Sequence, residues 1–215
     1  MPRLKTQSNV AVARARMYRD LVFECAERVF GEKGFAESSM QDLAAEAGIS
    51  LKTLYSTFSG KDDIYKEILS VRGLGLLNAI GDVGQAEGTT ALAKIEVGIR
   101  GIAGFLMEHQ QFFRILLQEG QAWGLNPRGE EARTTWEAGL VTVREILVGG
   151  IESGEFLPAD PDLLAPTVSA VLQVQLAGLL DRGDETDSEV ISGQIVETLR
   201  RLLCGGNQAG PASPS

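Results

Sequence analysis

The chain has 215 residues, 44% of them hydrophobic, with 20 Lys and Arg against 29 Asp and Glu and a net charge of −9. That composition is ordinary for a globular protein and excludes wholesale disorder, while two cysteines, Cys25 and Cys204, exclude a disulfide framework or a multi-cysteine metal site. The acidity argues against a nucleic-acid partner until it is partitioned: residues 1–19 carry +5, residues 20–60 carry −4 and residues 61–215 carry −10.

Met1 to Val10 include Arg3 and Lys5 but no apolar run, so no secretory signal is read there and the expected compartment is the cytoplasm. Residues 1–14 read as a basic flexible arm. Fully extended, fourteen residues span at most about 45 Å, enough to follow a neighbouring DNA groove, with Arg14 and Arg16 as candidate contacts. From there Val22, Cys25, Ala26, Val29 and Phe30 recur at helical spacing, with Asp20, Glu24, Glu27 and Arg28 placed on the opposite face. This amphipathic helix of about five turns stops at Gly34, free to take a left-handed cap conformation, with Phe35 supplying the accompanying apolar contact. Cys25 on the apolar stripe reads as a small buried hydrophobe.

Ser38 and Ser39 are candidate N-caps, with Gln41 and Asp42 three residues on from each in the capping-box spacing. A short helix from Met40 to Ala47 ends at Gly48, Ile49 anchors a turn, and Ser50 caps a second short helix with Leu54, Tyr55 and Phe58 at apolar spacing. Ser59-Gly60 breaks it. A longer helix starts at Lys61, with Asp62 and Asp63 in its first turn and Ile64, Ile68 and Leu69 turned inward. Further helices are expected near 61–80, 89–108, 110–120, 130–152, 161–180 and 187–204. No strand signal appears, so the fold class is all-α with about nine helices. The expected division is an arm over 1–14, a DNA-binding domain over 15–60, a helical effector-binding and dimerisation domain over 61–205, and a disordered tail over 206–215.

Two short helices joined by a Gly-containing turn describe a helix-turn-helix, whose second helix enters the major groove. Ala44, Gly48, Ile49 and Leu54 are small or apolar where such helices pack. Ser50, Leu51, Lys52, Thr53, Ser56 and Thr57 are left outward, able to read base edges and thymine methyls. Lys61, in a first helical turn where a cation opposes the macrodipole, suits a phosphate at that helix terminus.

The run Ser39-Met40-Gln41-Asp42-Leu43-Ala44-Ala45-Glu46-Ala47-Gly48-Ile49-Ser50, followed by Thr53-Leu54-Tyr55-Ser56-Thr57-Phe58 and Lys61-Asp62-Asp63-Ile64-Tyr65, resembles the DNA-binding motif of the TetR/AcrR family of bacterial transcriptional regulators. The resemblance is close over residues 18–70 and looser beyond. It implies that Lys52 and Thr53 lie near bases, that Tyr55, Lys61 and Ser39 meet phosphates, and that Gln41 stands where some members read a base. Lys52, often Gly in the family, and Thr57, often His, leave the operator sequence open.

Leu163 to Leu180 is eighteen residues without a charge. Pro166, Thr167, Ser169, Gln173 and Gln175 make it too polar for lipid, so it reads as a helix buried on both faces. With the stripe Ile191, Ile195, Leu199, Leu202 and Leu203 it suggests a four-helix dimer interface, which the resemblance also implies. The residues expected there are Leu164, Val168, Val171, Leu172, Leu176, Leu179, Ile191, Ile195, Leu199 and Leu202. The resemblance further implies an effector cavity among the middle helices, with Ile102, Phe105, Leu106, Phe113, Leu117, Gln121, Trp123, Trp136, Leu140, Leu172 and Gln175 as candidates for a mainly apolar ligand. By themselves most of these residues read as core, since aromatic stripes usually pack, and His109 reads as a capping or surface residue.

No His-Glu-x-x-His, Gly-x-Gly-x-x-Gly, Walker-type or Cys-x-x-Cys motif is present, so neither an enzyme nor a bound metal or cofactor is expected. The expectation is a homodimeric repressor that leaves a palindromic operator when a small effector binds. A transcriptional activator, or a helical module of the same fold acting through protein contacts, stands as the alternative.

Overall fold

The computed structural model describes residues 3–81, 83, 89–118, 130–182 and 188–205, with the backbone alone described at 3–11, 130–132, 135, 136 and 179–182. Among these residues the chain forms nine helices and no strand: α1 (Arg3–Lys33), α2 (Met40–Glu46), α3 (Leu51–Thr57), α4 (Lys61–Ile80), α5 (Ala91–Glu108), α6 (Gln110–Gln118), α7 (Glu130–Glu152), α8 (Pro161–Arg182) and α9 (Ser188–Cys204). The tail at 206–215 lies outside the described residues.

Two compact units result, one of Met1–Leu74 with His109–Gln121 and the other of Gly75–Glu108 with Ala122–Ser215. The division expected at residue 60 is therefore displaced. Most of α4 and all of α6 join the helix-turn-helix, because α6 packs on α1 and two ion pairs bind α4 to α1.

In the first unit Val22, Cys25, Ala26, Val29 and Phe30 are buried on α1. Burial pushes the Cys25 thiol above its ordinary range, as expected of a packed, unreactive sulfur. The expected arm is corrected: α1 begins at Arg3, so residues 3–14 are helical and span about 18 Å instead of about 45 Å. No Gly or Pro interrupts the run from Arg3 to Phe30, and Ala11, Ala13, Arg14, Ala15 and Arg16 are strong helix formers. Glu27 is corrected too. Placed on the polar face by periodicity, it is only 6% exposed and receives a bidentate pair from Arg72 of α4, with Nε to Oε1 at 2.9 Å and Nη2 to Oε2 at 2.6 Å. Arg72 also lies over the Phe23 ring and 3.5 Å from Nε2 of His109, whose carbonyl accepts from Phe113 N at the start of α6. A buried carboxylate is tolerable only when paired in this way.

The end of α1 follows the sequence. Gly34 takes φ +87°, its N–H donates to the Phe30 carbonyl, and Phe35 packs edge-on against Phe30 with the rings 5.4 Å apart. Tyr65 of α4 completes the cluster, 4.7 Å from Phe35. Where α6 crosses α1, Gln118 donates to the Gly31 carbonyl, and a Cβ at Gly31 would stand 2.9 Å from the Gln111 carbonyl oxygen.

In the second unit α9 packs along α5, and α7 packs on both α5 and α8. Ile191, Ile195, Leu199 and Leu203 are buried on α9, and Ala165, Val168, Leu172 and Leu176 on α8. Glu155, in the turn after α7, accepts from the Ala91 and Leu92 amides at 2.7 and 2.9 Å, supplying two N–H groups that α5 cannot satisfy itself. No helix among the described residues is long and apolar enough to cross a membrane.

Candidate nucleic-acid interface

Of the two capping alternatives at the start of α2, Ser39 is the cap. Its hydroxyl accepts from Asp42 N at 3.2 Å, and Asp42 Oδ2 accepts from Ser39 N at 2.9 Å. Ser38 is buried and donates its hydroxyl to the Gly34 carbonyl. The turn from α2 to α3 needs a left-handed residue, and Gly48 supplies it at φ +62°. Ser50 then caps α3 by accepting from Thr53 N at 3.1 Å. Leu43, Ala44, Leu54 and Phe58 are buried, which fixes which side of α3 looks outward.

That side carries Lys52, Tyr55 and Ser56, all exposed, flanked by half-buried Leu51, Thr53 and Thr57, with Gln41 exposed on α2. Tyr55 is 53% exposed, its ring presented on the same side as Lys52 and Ser56. The hydroxyls have partners: Ser50 and Thr53 lie 2.8 Å apart, and Ser56 and Thr57 donate to the Thr53 carbonyl. Each can exchange that partner for a base edge by rotating one bond.

The face is less acidic than its sequence suggests. Asp42 pairs with Lys33 at 2.8 Å and Glu46 with Arg28 at 2.6 Å, both cations coming from α1, whereas Lys52 makes no ion pair among the described residues. Sequence reasoning missed these α1 partners, because periodicity shows a polar face without saying what it lies against. The Lys33 ammonium, then the Ser39 hydroxyl and amide, hold the Asp42 carboxyl down at about 2, against an ordinary value of 3.8. A depressed carboxylate stabilises the fold above its ordinary value and loses that contribution as pH falls through the folded one. Urea midpoints should therefore fall from pH 4 to pH 2 more steeply in the wild type than in Asp42→Asn. Parallel curves would show the pair to be idle.

Lys61 has partners within the chain. Expected on a phosphate, its ammonium donates to the carbonyls of Phe35 at 2.9 Å, Ala36 at 3.3 Å and Ser38 at 2.9 Å, and lies 4.5 Å from the Phe35 ring centroid. Its three protons close the turn between α1 and α2. Ser39, also expected on phosphate, is half-buried and engaged as the cap.

The remaining candidates are distributed as follows. Arg14 and Arg16 are exposed on α1. In the predicted dimer set, Val168, Leu172, Leu176, Ile191, Ile195 and Leu199 are corrected to the second unit's own core. The four-residue spacing that fits a partner helix fits α5 or α7 equally well. Leu164 and Val171 are half-buried, Leu202 is exposed, and the Leu179 side chain lies outside the described residues. In the predicted effector set, Phe113 and Leu117 belong to the first unit, whereas Ile102, Phe105, Leu106, Leu140 and Leu172 belong to the second. Gln175 turns instead to α9, donating to the Thr198 hydroxyl at an exposed position. Gln121 and Trp123 lie outside the described residues, as does the side chain of Trp136.

A family model described as bacterial regulatory proteins, tetR family, matches residues 22–68, the segment that builds this interface. The segment carrying α2 and α3 is therefore similar to the DNA-binding region of the TetR family. It is 27% identical over 145 residues to the HTH-type transcriptional regulator YfiR of Bacillus subtilis strain 168, a match covering 65% of this chain and 68% of that one. Among solved structures it resembles the TetR-family regulator PfmR of Thermus thermophilus, with TM-score 0.70 and 26% identity over 84% of this chain and 97% of the other. It also shares its fold with FadR of Bacillus subtilis, solved with stearoyl-CoA, with TM-score 0.64 and 20% identity over 86% and 97%. These matches show a chain similar to transcriptional regulators that carry a helix-turn-helix, with the likeness to the TetR family model confined to residues 22–68.

Proposed function

We propose that this regulator is a homodimeric repressor that holds a palindromic operator through α3 and releases it when a mainly apolar small molecule binds the second unit. The observation that carries the proposal is the capped, two-sided α3: Leu54 buried on one side, and Lys52, Tyr55 and Ser56 presented together on the other. In this reading Lys52, Thr53, Ser56 and Gln41 meet base edges, Tyr55 meets a phosphate, and Leu51 and Thr57 supply apolar contact. An α3 of seven residues covers few base pairs, so two copies related by a dyad are needed for specificity. The dimer would form on the outer side of α8, where Leu163, Ala170 and Val174 recur at helical spacing and are exposed.

An apolar effector is supported by half-exposed Ile102, Phe105 and Leu140 in the second unit, and by the stearoyl-CoA that FadR holds on the same fold. Selection from random-sequence duplexes should enrich two inverted half-sites centred about 10–10.5 bp apart, or a multiple of that. A long-chain acyl-CoA should then displace the protein from the enriched duplex. Failure to enrich any sequence would overturn the proposal.

A further inference from the structure

The surplus positive charge of the chain is concentrated in the N-terminal part of α1. Arg3, Lys5, Arg14, Arg16 and Arg19 occur before the first acid, Asp20, and all stand on one continuous helix. Arg19 is committed, since its guanidinium makes a bidentate pair with Glu67 of α4 and lies over the Phe58 ring. Arg14 and Arg16 are exposed, and Arg14 is steadied 5.8 Å from the Tyr18 ring centroid. Arg14 and Arg16 make no ion pair among the described residues, and Arg3 and Lys5 stand on the same helix, on a segment from Arg3 to Arg16 about 20 Å long.

Helical register arranges these four in pairs. Eleven residues make about three turns, so Arg3 stands in line with Arg14 and Lys5 in line with Arg16. Two residues make about 200°, so the two lines run along opposite flanks. Such a helix is wrong for a protein partner with a single acidic patch and right for a groove bounded by two phosphate strands. A helix with its side chains is about 10–12 Å across. The minor groove, at about 6 Å, would admit an extended arm but excludes this rod, while the major groove, at about 12 Å, accepts it.

We infer that the N-terminal segment of α1 is a rigid basic rod that grips phosphates on both sides of a major groove flanking the site read by α3. This rests on the DNA-binding reading above and adds to it a second, sequence-independent contact. The rod supplies most of the counterion-release part of the affinity, since the reading head has Lys61 committed to carbonyls, its acids paired to α1, and Lys52 turned to base edges.

Two full-length variants test it. The first replaces Arg3, Lys5, Arg14 and Arg16 together by Ala. The second, Ala13→Pro, keeps every charge but ends the helix at residue 13, where Pro can serve as the first residue of a shortened α1 whose core from Val22 onward is untouched. Far-UV circular dichroism and a cooperative melt verify that both fold. Binding is measured on the selected duplex and on one of scrambled sequence, from 50 to 300 mM NaCl. The rod requires the four-fold variant to flatten the salt slope by about 7 on both duplexes, four phosphates for each subunit of the dimer at about 0.9 per phosphate. Ala13→Pro must also flatten it, and must shorten the protected footprint at its outer edges. Wild-type slope and footprint in Ala13→Pro would show that the charges act as a flexible arm, and a wild-type slope in the four-fold variant would show them idle. Either result overturns the inference while leaving sequence-selective binding by the wild type intact. Absence of any duplex binding by the wild type would overturn the DNA-binding reading itself.

Discussion

Lys61→Met is expected to destabilise the first unit by about 2–3 kcal/mol and to abolish operator binding, with no recovery as salt is lowered. A charge-assisted hydrogen bond contributes about 1.5–3 kcal/mol when its loss strands a partner. Here one ammonium serves three carbonyls of a single turn. The half-exposed setting lets water replace part of that, which keeps the sum near the value of one such bond. The turn between α1 and α2 sets the angle at which Ser39 launches α2, so loosening it disorders the whole reading head. Equilibrium urea unfolding, paired with binding at several salt concentrations, separates this from a phosphate contact. A lysine that only touched DNA would leave the unfolding midpoint unchanged and reduce the salt slope by about 2, one contact from each subunit of the dimer.

The contrast between Lys61 and Ser50 shows where the sequence was legible. Local chemistry could be read because it depends on near neighbours: the Ser39 and Ser50 caps, the Gly34 and Gly48 turns, and helices α4 to α9 all fall within about two residues of expectation. What a side chain meets across the fold could not. Lys61 lies 23–26 residues from the carbonyls it binds, and Arg72 lies 45 residues from Glu27. The α9 stripe was visible as a stripe, but Ile191, Ile195 and Leu199 pack into their own unit, and periodicity alone does not distinguish a core from an interface. The rod in α1 was misjudged for a different reason. A run of charges resembles a flexible tail, yet four cations spread over fourteen positions, interleaved with alanine, do not repel strongly enough to melt a helix already nucleated at Val22 to Phe30.

Val174→Glu should convert a dimer into monomers and weaken operator binding by about 10²–10⁴-fold. Val174 is 72% exposed at the middle of α8, on the side away from Val168, Leu172 and Leu176, which face the core. An isologous interface repeats each substitution, so one change buries two carboxylates against apolar surface, with no cation on the described outer side of α8 to receive them. Because the side chain leaves the core untouched, each subunit should keep its fold and its melting behaviour. Light scattering coupled to gel filtration reads the mass, and a full operator compared with an isolated half-site reads the consequence. The dimeric protein gains from tethering two reading heads, an advantage of about 10²–10⁴ that exists only while both half-sites are engaged. The substitution should therefore cost the full operator its advantage and leave half-site affinity unchanged. A Val174→Glu protein that stays dimeric would place the interface elsewhere. A monomer that binds the full operator as tightly as the wild type would mean that a single α3, aided by the α1 rod, is sufficient.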